Sequence, residues 1–284
     1  MRRILLIIGL ILSCWSPARA DNLITLHYAP AGPIYDYRWQ VLALALAHTT
    51  DEGPVHMLPL ADAPVSQLRL EALVQQHELD VVCFSSTPER EATLRPIRVD
   101  ILRGMLGYRI LLIRDSDQAR FNRLDDNTLR QQVTLGFNNQ WADYPILTGN
   151  HFHVMGTVGY DSLFAMLSAG RFDAFPRGLN EVGPELAVYQ PKYPNIAEEK
   201  SLALFVNYPV YFWVRRDNAV LATRIERGLK LAMADGSFKA LFLHTHAEEI
   251  DKVRREHRRV VYLTNPQLPP GTPPADTSWW WHSH

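Results

Sequence analysis

Cysteine is nearly missing from this 284-residue chain, which has only Cys14 and Cys83. Cys14 falls in a segment that reads as a removable leader. That leaves Cys83 alone in an apolar run, so an intrachain disulfide is excluded and the thiol is expected as a small buried hydrophobe. Membrane-spanning apolar stretches are missing too: the run over residues 4–12 is too short to cross a bilayer. There is no Gly-Lys-Ser/Thr phosphate loop, no Gly-x-Ser-x-Gly elbow and no His-Glu-x-x-His pair, which removes the signatures of common nucleotide, hydrolase and zinc-protease sites. His151 with His153, and His244 with His246, lack a third ligand at diagnostic spacing, so they read as exposed histidines; no metal and no cofactor is expected. Charge of one sign is not in excess, with 29 Lys and Arg against 30 Asp and Glu. Loss of the leader takes Arg2, Arg3 and Arg19 and no acid, leaving 26 bases, 30 acids and a net charge of −4. That balance argues against nucleic acid or an anionic membrane surface as the main partner.

What is present starts with the leader. Arg2 and Arg3, an apolar run, Pro17 and the small-residue site Ala18-Arg19-Ala20 read as a secretory signal over residues 1–20, which predicts a periplasmic protein. A rival lipoprotein-type cleavage before Cys14 fits poorly at Leu12. At the other end, residues 265–274 carry too many prolines for a helix or a central strand. Residues 265–284 are therefore expected as an extended tail, with Trp279, Trp280 and Trp281 packed back on the body or against a partner.

Between the ends, short apolar runs alternate with helical patterns, which predicts an α/β fold. Strands are expected over 23–29, 55–60 and 80–84, with helices over 37–47 and 65–76 between them. A second series follows a long apolar run over 105–113: strands at 133–137, 153–155 and 173–175, and helices at 141–147, 161–169 and 179–189. A strand over 208–215 and a helix over 219–234 come last. Two β/α series joined by two long strand-like passages predict two lobes that close on a ligand by hinge motion.

The run from Asp80 to Arg90 leads a strand into a turn carrying Ser86, Thr87 and Arg90. Two hydroxyls and a guanidinium at a strand end make a carboxylate trap. The same residues also read as a helix start, with Thr87 as N-cap and Pro88 at the first helical position. Arg177 and Glu181 flank another expected helix start, where an anionic group would meet free N–H groups. Trp141 could stack on a ligand, with Tyr28, Tyr35 and Tyr37 as the opposite wall.

Three stretches carry a resemblance. Ser86-Thr87-Pro88-Glu89-Arg90 resembles the Thr-Pro-Glu-Arg motif of periplasmic solute-binding proteins of the polar amino-acid ABC transporter class. Residues 166–174, Met-Leu-Ser-Ala-Gly-Arg-Phe-Asp-Ala, resemble that family's second-lobe helix and strand, and residues 232–238, Ala-Met-Ala-Asp-Gly-Ser-Phe, its returning first-lobe helix end. The resemblance implies a type II periplasmic-binding-protein fold, each lobe a β-sheet flanked by helices. Lobe I would comprise residues 21–107 and 209–264, and lobe II residues 108–208, linked by two crossover strands. It also implies that Thr87 and Arg90 hold a ligand carboxylate, and that the protein is a non-catalytic monomer serving an ABC permease or a membrane-bound sensor. Two features depart from the family. Gly178 stands where an Asp for the ligand ammonium is expected, with Glu181 or Asp143 as possible substitutes, and Asn138-Asn139-Gln140-Trp141 replaces the second-lobe Gly-Thr loop. The expected function is capture of a small carboxylate-bearing solute, amino acid-like or another organic anion. Two alternatives remain: a cyclohexadienyl-dehydratase-like enzyme with Glu181 as its acid, and a ligand-free adaptor or signalling protein.

Overall fold

The computed structural model describes residues 23–30, 32–60 and 66–282. The signal expected over 1–20 lies outside the described residues, as does Val65 at the start of the expected helix 65–76.

The strands are β1 (Ile24–Tyr28), β2 (Val55–Pro59), β3 (Val81–Ser85), β4 (Leu94–Ile97), β5 (Tyr108–Arg114), β6 (Thr134–Asn138), β7 (His153–Thr157), β8 (Ala174–Gly178), β9 (Ile196–Glu198), β10 (Leu202–Val206), β11 (Val210–Arg215) and β12 (Arg259–Leu263). They form two sheets. The first runs β2-β1-β3-β11-β4, with β1, β2 and β3 parallel and β11 antiparallel to both of its neighbours. In the second, β12-β10-β5-β8-β6-β7, β9 also pairs with β5. Strand β3 is Val-Val-Cys-Phe-Ser, buried at every position; such a continuous apolar run suits a strand covered on both faces. Cys83 within it is free and buried, and burial pushes its thiol up to about 12.

Helices Asp36–Ala47 and Ala219–Ala234 pack tightly on one another over the first sheet. Ala222, Ile225, Leu229 and Ala232 fall on one buried stripe of the latter, which starts where the Asn218 side chain accepts the Leu221 N–H at 3.1 Å. A Cβ at Gly228 would stand 2.0 Å from the Ala45 carbonyl oxygen, so only glycine permits this approach.

The expected helices over 179–189 and 219–234 occur with those bounds. Strands β4, β9, β10 and β12 and the helices Ser237–Thr245 and Ala247–Glu256 were not anticipated. Residues 259–263, expected in lobe I, pair with β10 in the second sheet. The chain thus passes between the lobes a third time, along helix Ala247–Glu256. There Lys252 pairs with Glu198, and Arg258 with Glu198, Glu199 and Glu256. His246, expected exposed, is buried against Tyr37 and Phe242, because it ends a helix inside a helix junction instead of extending a strand.

The two other passages, β4 to β5 and β10 to β11, are joined by one carboxylate. Asp100 accepts N–H bonds from Leu102 (3.1 Å) and Gly104 (2.6 Å) in the first passage and from Val210 (3.0 Å) at the end of the second. Burial pushes its carboxyl up, and those three donors oppose the shift.

Candidate functional site

A cavity of about 590 Å³ lies where the C-terminal end of β3 and the segment after β1 face β5, β8 and the segment after β6. Its size is within the usual range for small-molecule pockets. The first lobe contributes Tyr35, Arg38, Trp39, Phe84 and Ser85, and the second Arg109, Trp141, Asp143, Tyr160, Arg177 and Glu181.

The second-lobe wall is a buried charge cluster. Arg109 donates to Asp143 at 2.6 Å and stands 3.7 Å from Glu181. Arg177 grips Glu185 through Nε and Nη2 (2.5 to 2.9 Å), and its Nη2 also lies 3.1 Å from Glu181. Tyr160 donates its hydroxyl to Glu185 at 2.6 Å. The Arg177 guanidinium lies over the rings of Trp141 (4.8 Å) and Phe175 (4.9 Å), a stacking that fixes its plane. Burial works against the charge of Arg177, but Glu181 and Glu185 outweigh it and hold the group well above its ordinary range. Burial also pushes Glu181 up; Arg177, Arg109 and the Gly178 N–H (2.8 Å) together outweigh it and leave the carboxyl below its ordinary value. Asp143 shifts the other way, raised by burial against the pull of Arg109.

On the first lobe, Arg38 lies over the Tyr35 ring at 4.4 Å and donates one N–H to the Cys83 carbonyl at 3.1 Å. That is its only hydrogen bond among the described residues. Trp39 is buried, and its indole N–H has no partner there. The Tyr35 hydroxyl is held above its ordinary range, first by burial and then by the charge of Glu181.

Of the expected site residues, Tyr35, Trp141, Arg177 and Glu181 line the cavity together. Tyr28 does not; it packs on Trp39, ring centroids 4.7 Å apart. Ser86, Thr87 and Arg90 are also outside the lining. Thr87 caps helix Pro88–Thr93 by accepting the Arg90 N–H at 3.2 Å, and Ser86 donates to Glu91 at 3.2 Å. The Arg90 guanidinium donates to Glu71 (2.7 and 2.9 Å), Gln67 (3.1 Å) and the Ser85 carbonyl. Its fork is thus filled from within its own lobe. Arg38, Trp39, Arg109, Tyr160 and Tyr208 line the cavity and were not anticipated. Arg109 had a legible signal, as the one charge inside the apolar run 105–113.

No protein-family model matches the chain, and no curated protein does. Solved structures do. An ancestral arginine-binding protein bound to arginine is 15% identical with a TM-score of 0.55, over 78% of this chain and 97% of that one. The probable amino-acid ABC transporter extracellular-binding protein ytmK from Bacillus subtilis is 18% identical, TM-score 0.54, over 79% and 97%. The Bordetella pertussis BvgS VFT2 domain is 14% identical, TM-score 0.55, over 78% and 92%. The chain has the type II periplasmic-binding-protein fold. In that fold the cavity described above is the cleft between the lobes, and Gly178 stands at its edge as the N-cap of helix Leu179–Tyr189. A Cβ at Gly178 would lie 3.0 Å from the Glu181 Oε2 atom and 3.0 Å from the Leu106 Cδ1 atom. A carboxylate from the next turn therefore fills the space into which a side chain at 178 would project.

Proposed function

We propose that this protein is a solute receptor that closes its lobes on a small, amino acid-like ligand carrying a carboxylate and a cationic group. One observation carries the reading: across the cleft, Arg38 and Glu181 each keep unused hydrogen-bonding capacity among the described residues. Arg38 has one hydrogen bond, to a carbonyl. Glu181 accepts one through Oε2, and the ion pairs assigned to it also converge on that oxygen. A ligand carboxylate on Arg38 and an ammonium on Glu181 would complete both groups at once. The acid at 181 then replaces the one missing at 178. Trp39, whose N–H has no partner among the described residues, and Trp141 would bracket the rest of the molecule. Closure would present a shape that an ABC permease or a membrane-bound sensor reads.

The test is thermal unfolding of protein refolded free of carried-over ligand, against amino acids, dicarboxylates, polyamines and phosphorylated metabolites. A ligand at a hundred times its dissociation constant stabilises by about 2.7 kcal/mol. The expected outcome is a response to zwitterionic amino acids that Arg38→Ala and Glu181→Gln each abolish. A response only to dicarboxylates would overturn the ammonium role of Glu181.

A second reading, a ligand-free signalling module, is favoured by the pairing of Arg90, Arg109 and Arg177 with in-chain acids. A flat response across the panel would select it. The dehydratase reading draws no support from Glu181, since a carboxyl held below its ordinary range is a poor proton donor near neutral pH.

A further inference from the structure

We infer that residues 264–281 form a strap that limits how far the two lobes can open. The strap begins at the second lobe, where the Asn150 side chain and the Thr264 backbone exchange hydrogen bonds of 2.7 and 2.9 Å. It then reaches two of the three passages that must adjust when the lobes move. In the passage from β10 to β11, Asn207 donates to the Pro273 carbonyl at 3.0 Å and accepts from Asn265 at 3.1 Å. In the passage from β4 to β5, Arg103 pairs with Asp276, and its carbonyl accepts the Trp280 indole N–H at 2.8 Å.

The fit at this passage is close. Arg103 and Gly104 both have positive φ, 50° and 78°, and a Cβ at Gly104 would stand 2.8 Å from the Thr277 methyl. The strap thus seats on the two residues of this passage that have positive φ, the kind of position that absorbs a hinge rotation. Its far end grips both lobes. The Trp279 ring meets Phe238 (5.2 Å) and Phe242 (5.7 Å) on a first-lobe helix, while the Trp281 ring meets Phe205 (4.9 Å) and Tyr108 (5.3 Å) on the second sheet. Trp280 between them is 3% exposed. Any opening that separates Phe242 from Phe205 must pull one of these indoles out of its contacts. No described residue of the strap lines the cleft cavity, so the device acts on lobe geometry and leaves the binding surface untouched.

The test needs no ligand, so it stands or falls apart from the proposed receptor function. Spin labels on Thr223→Cys in the first lobe and Val188→Cys in the second, both at exposed positions, report the interlobe distance by pulsed electron resonance. Buried Cys83, with its raised thiol, should stay unlabelled. The unaltered strap should give one narrow distance distribution. Trp279→Ala, Trp281→Ala and Asp276→Asn should each broaden it or add a longer population, with circular dichroism confirming the fold. Asp276 is half exposed, so its neutralisation leaves a folded variant even if an indole deletion does not. An unchanged distribution in every folded variant would reduce the tail to surface packing and overturn the inference.

Discussion

Arg90 is held on three sides by its own lobe, and its removal should be felt as lost stability. Its partner Glu71 is itself largely buried, so deleting either leaves the other charge uncompensated. Arg90→Ala and Glu71→Ala are each expected to cost about 3 kcal/mol in urea unfolding, and Arg90→Ala should leave the ligand response in place. A lost ligand response in a stable Arg90→Ala protein would return that guanidinium to the site. A second prediction belongs to His246. Burial lowers its pKa from the ordinary 6.5 to about 4, so between those values the unfolded chain takes up a proton that the folded chain refuses. Stability from this group is present above pH 6.5 and falls as pH drops toward 4, by about 3 kcal/mol in total. The raised carboxyls of Asp100, Asp143 and Glu185 act in the opposite direction, each adding stability as pH falls from its raised value toward the ordinary carboxylate range, so their effect overlaps this window. The difference between wild type and His246→Leu therefore isolates the histidine; parallel stability–pH curves would show that it is not held neutral. At this scale the residue types at the site were legible but their partners were not. Ser-Thr-Pro-Glu-Arg reads equally as anion trap and helix cap, and the partners that occupy the Arg90 guanidinium, Glu71 and Gln67, lie nineteen and twenty-three residues upstream, out of reach of any local pattern.

Among the elements, Gly228 and Gly183 make a controlled comparison. Both lie inside helices, where glycine weakens the helix by about 1 kcal/mol relative to alanine. Gly183→Ala meets nothing within 4 Å and should stabilise by up to that amount. Gly228→Ala drives a methyl into the Ala45 backbone and should destabilise by about 1–3 kcal/mol. Thermal unfolding of the two variants checks both signs, and equal shifts would mean the helices do not approach as described. The helices with clean 3.6-residue stripes and most of the fully apolar strands were read from sequence because their burial pattern is local; β10, Leu-Ala-Leu-Phe-Val, is the apolar strand that was missed. Strand β4 is four residues with a proline, and β12 begins with an arginine and shows only two buried positions. Each is recruited by a neighbour already in place, β11 and β10 respectively. Sheet edges of this kind carry little signal of their own.

For the whole molecule, the two-lobed α/β plan follows from the order of its β/α units, and the cleft follows from that plan. The third passage does not, because nothing in the composition of residues 247–263 tells which sheet they serve. Asp100 ties the other two passages together, so Asp100→Ala should loosen lobe geometry as well as lower stability. Three backbone N–H groups lose their acceptor, at about 1 kcal/mol or more each. Small-angle scattering that showed an unaltered envelope in the folded variant would remove it as a hinge pin.

The placement of β12 bears on how the protein is made. Its partner β10 leaves the ribosome more than fifty residues earlier, with the closing helices of the first lobe translated in between. At five to twenty residues per second, β10 waits several seconds with one edge open. During that interval it is a template for any passing strand, which makes this edge the place where chaperone binding or misassembly during synthesis should concentrate.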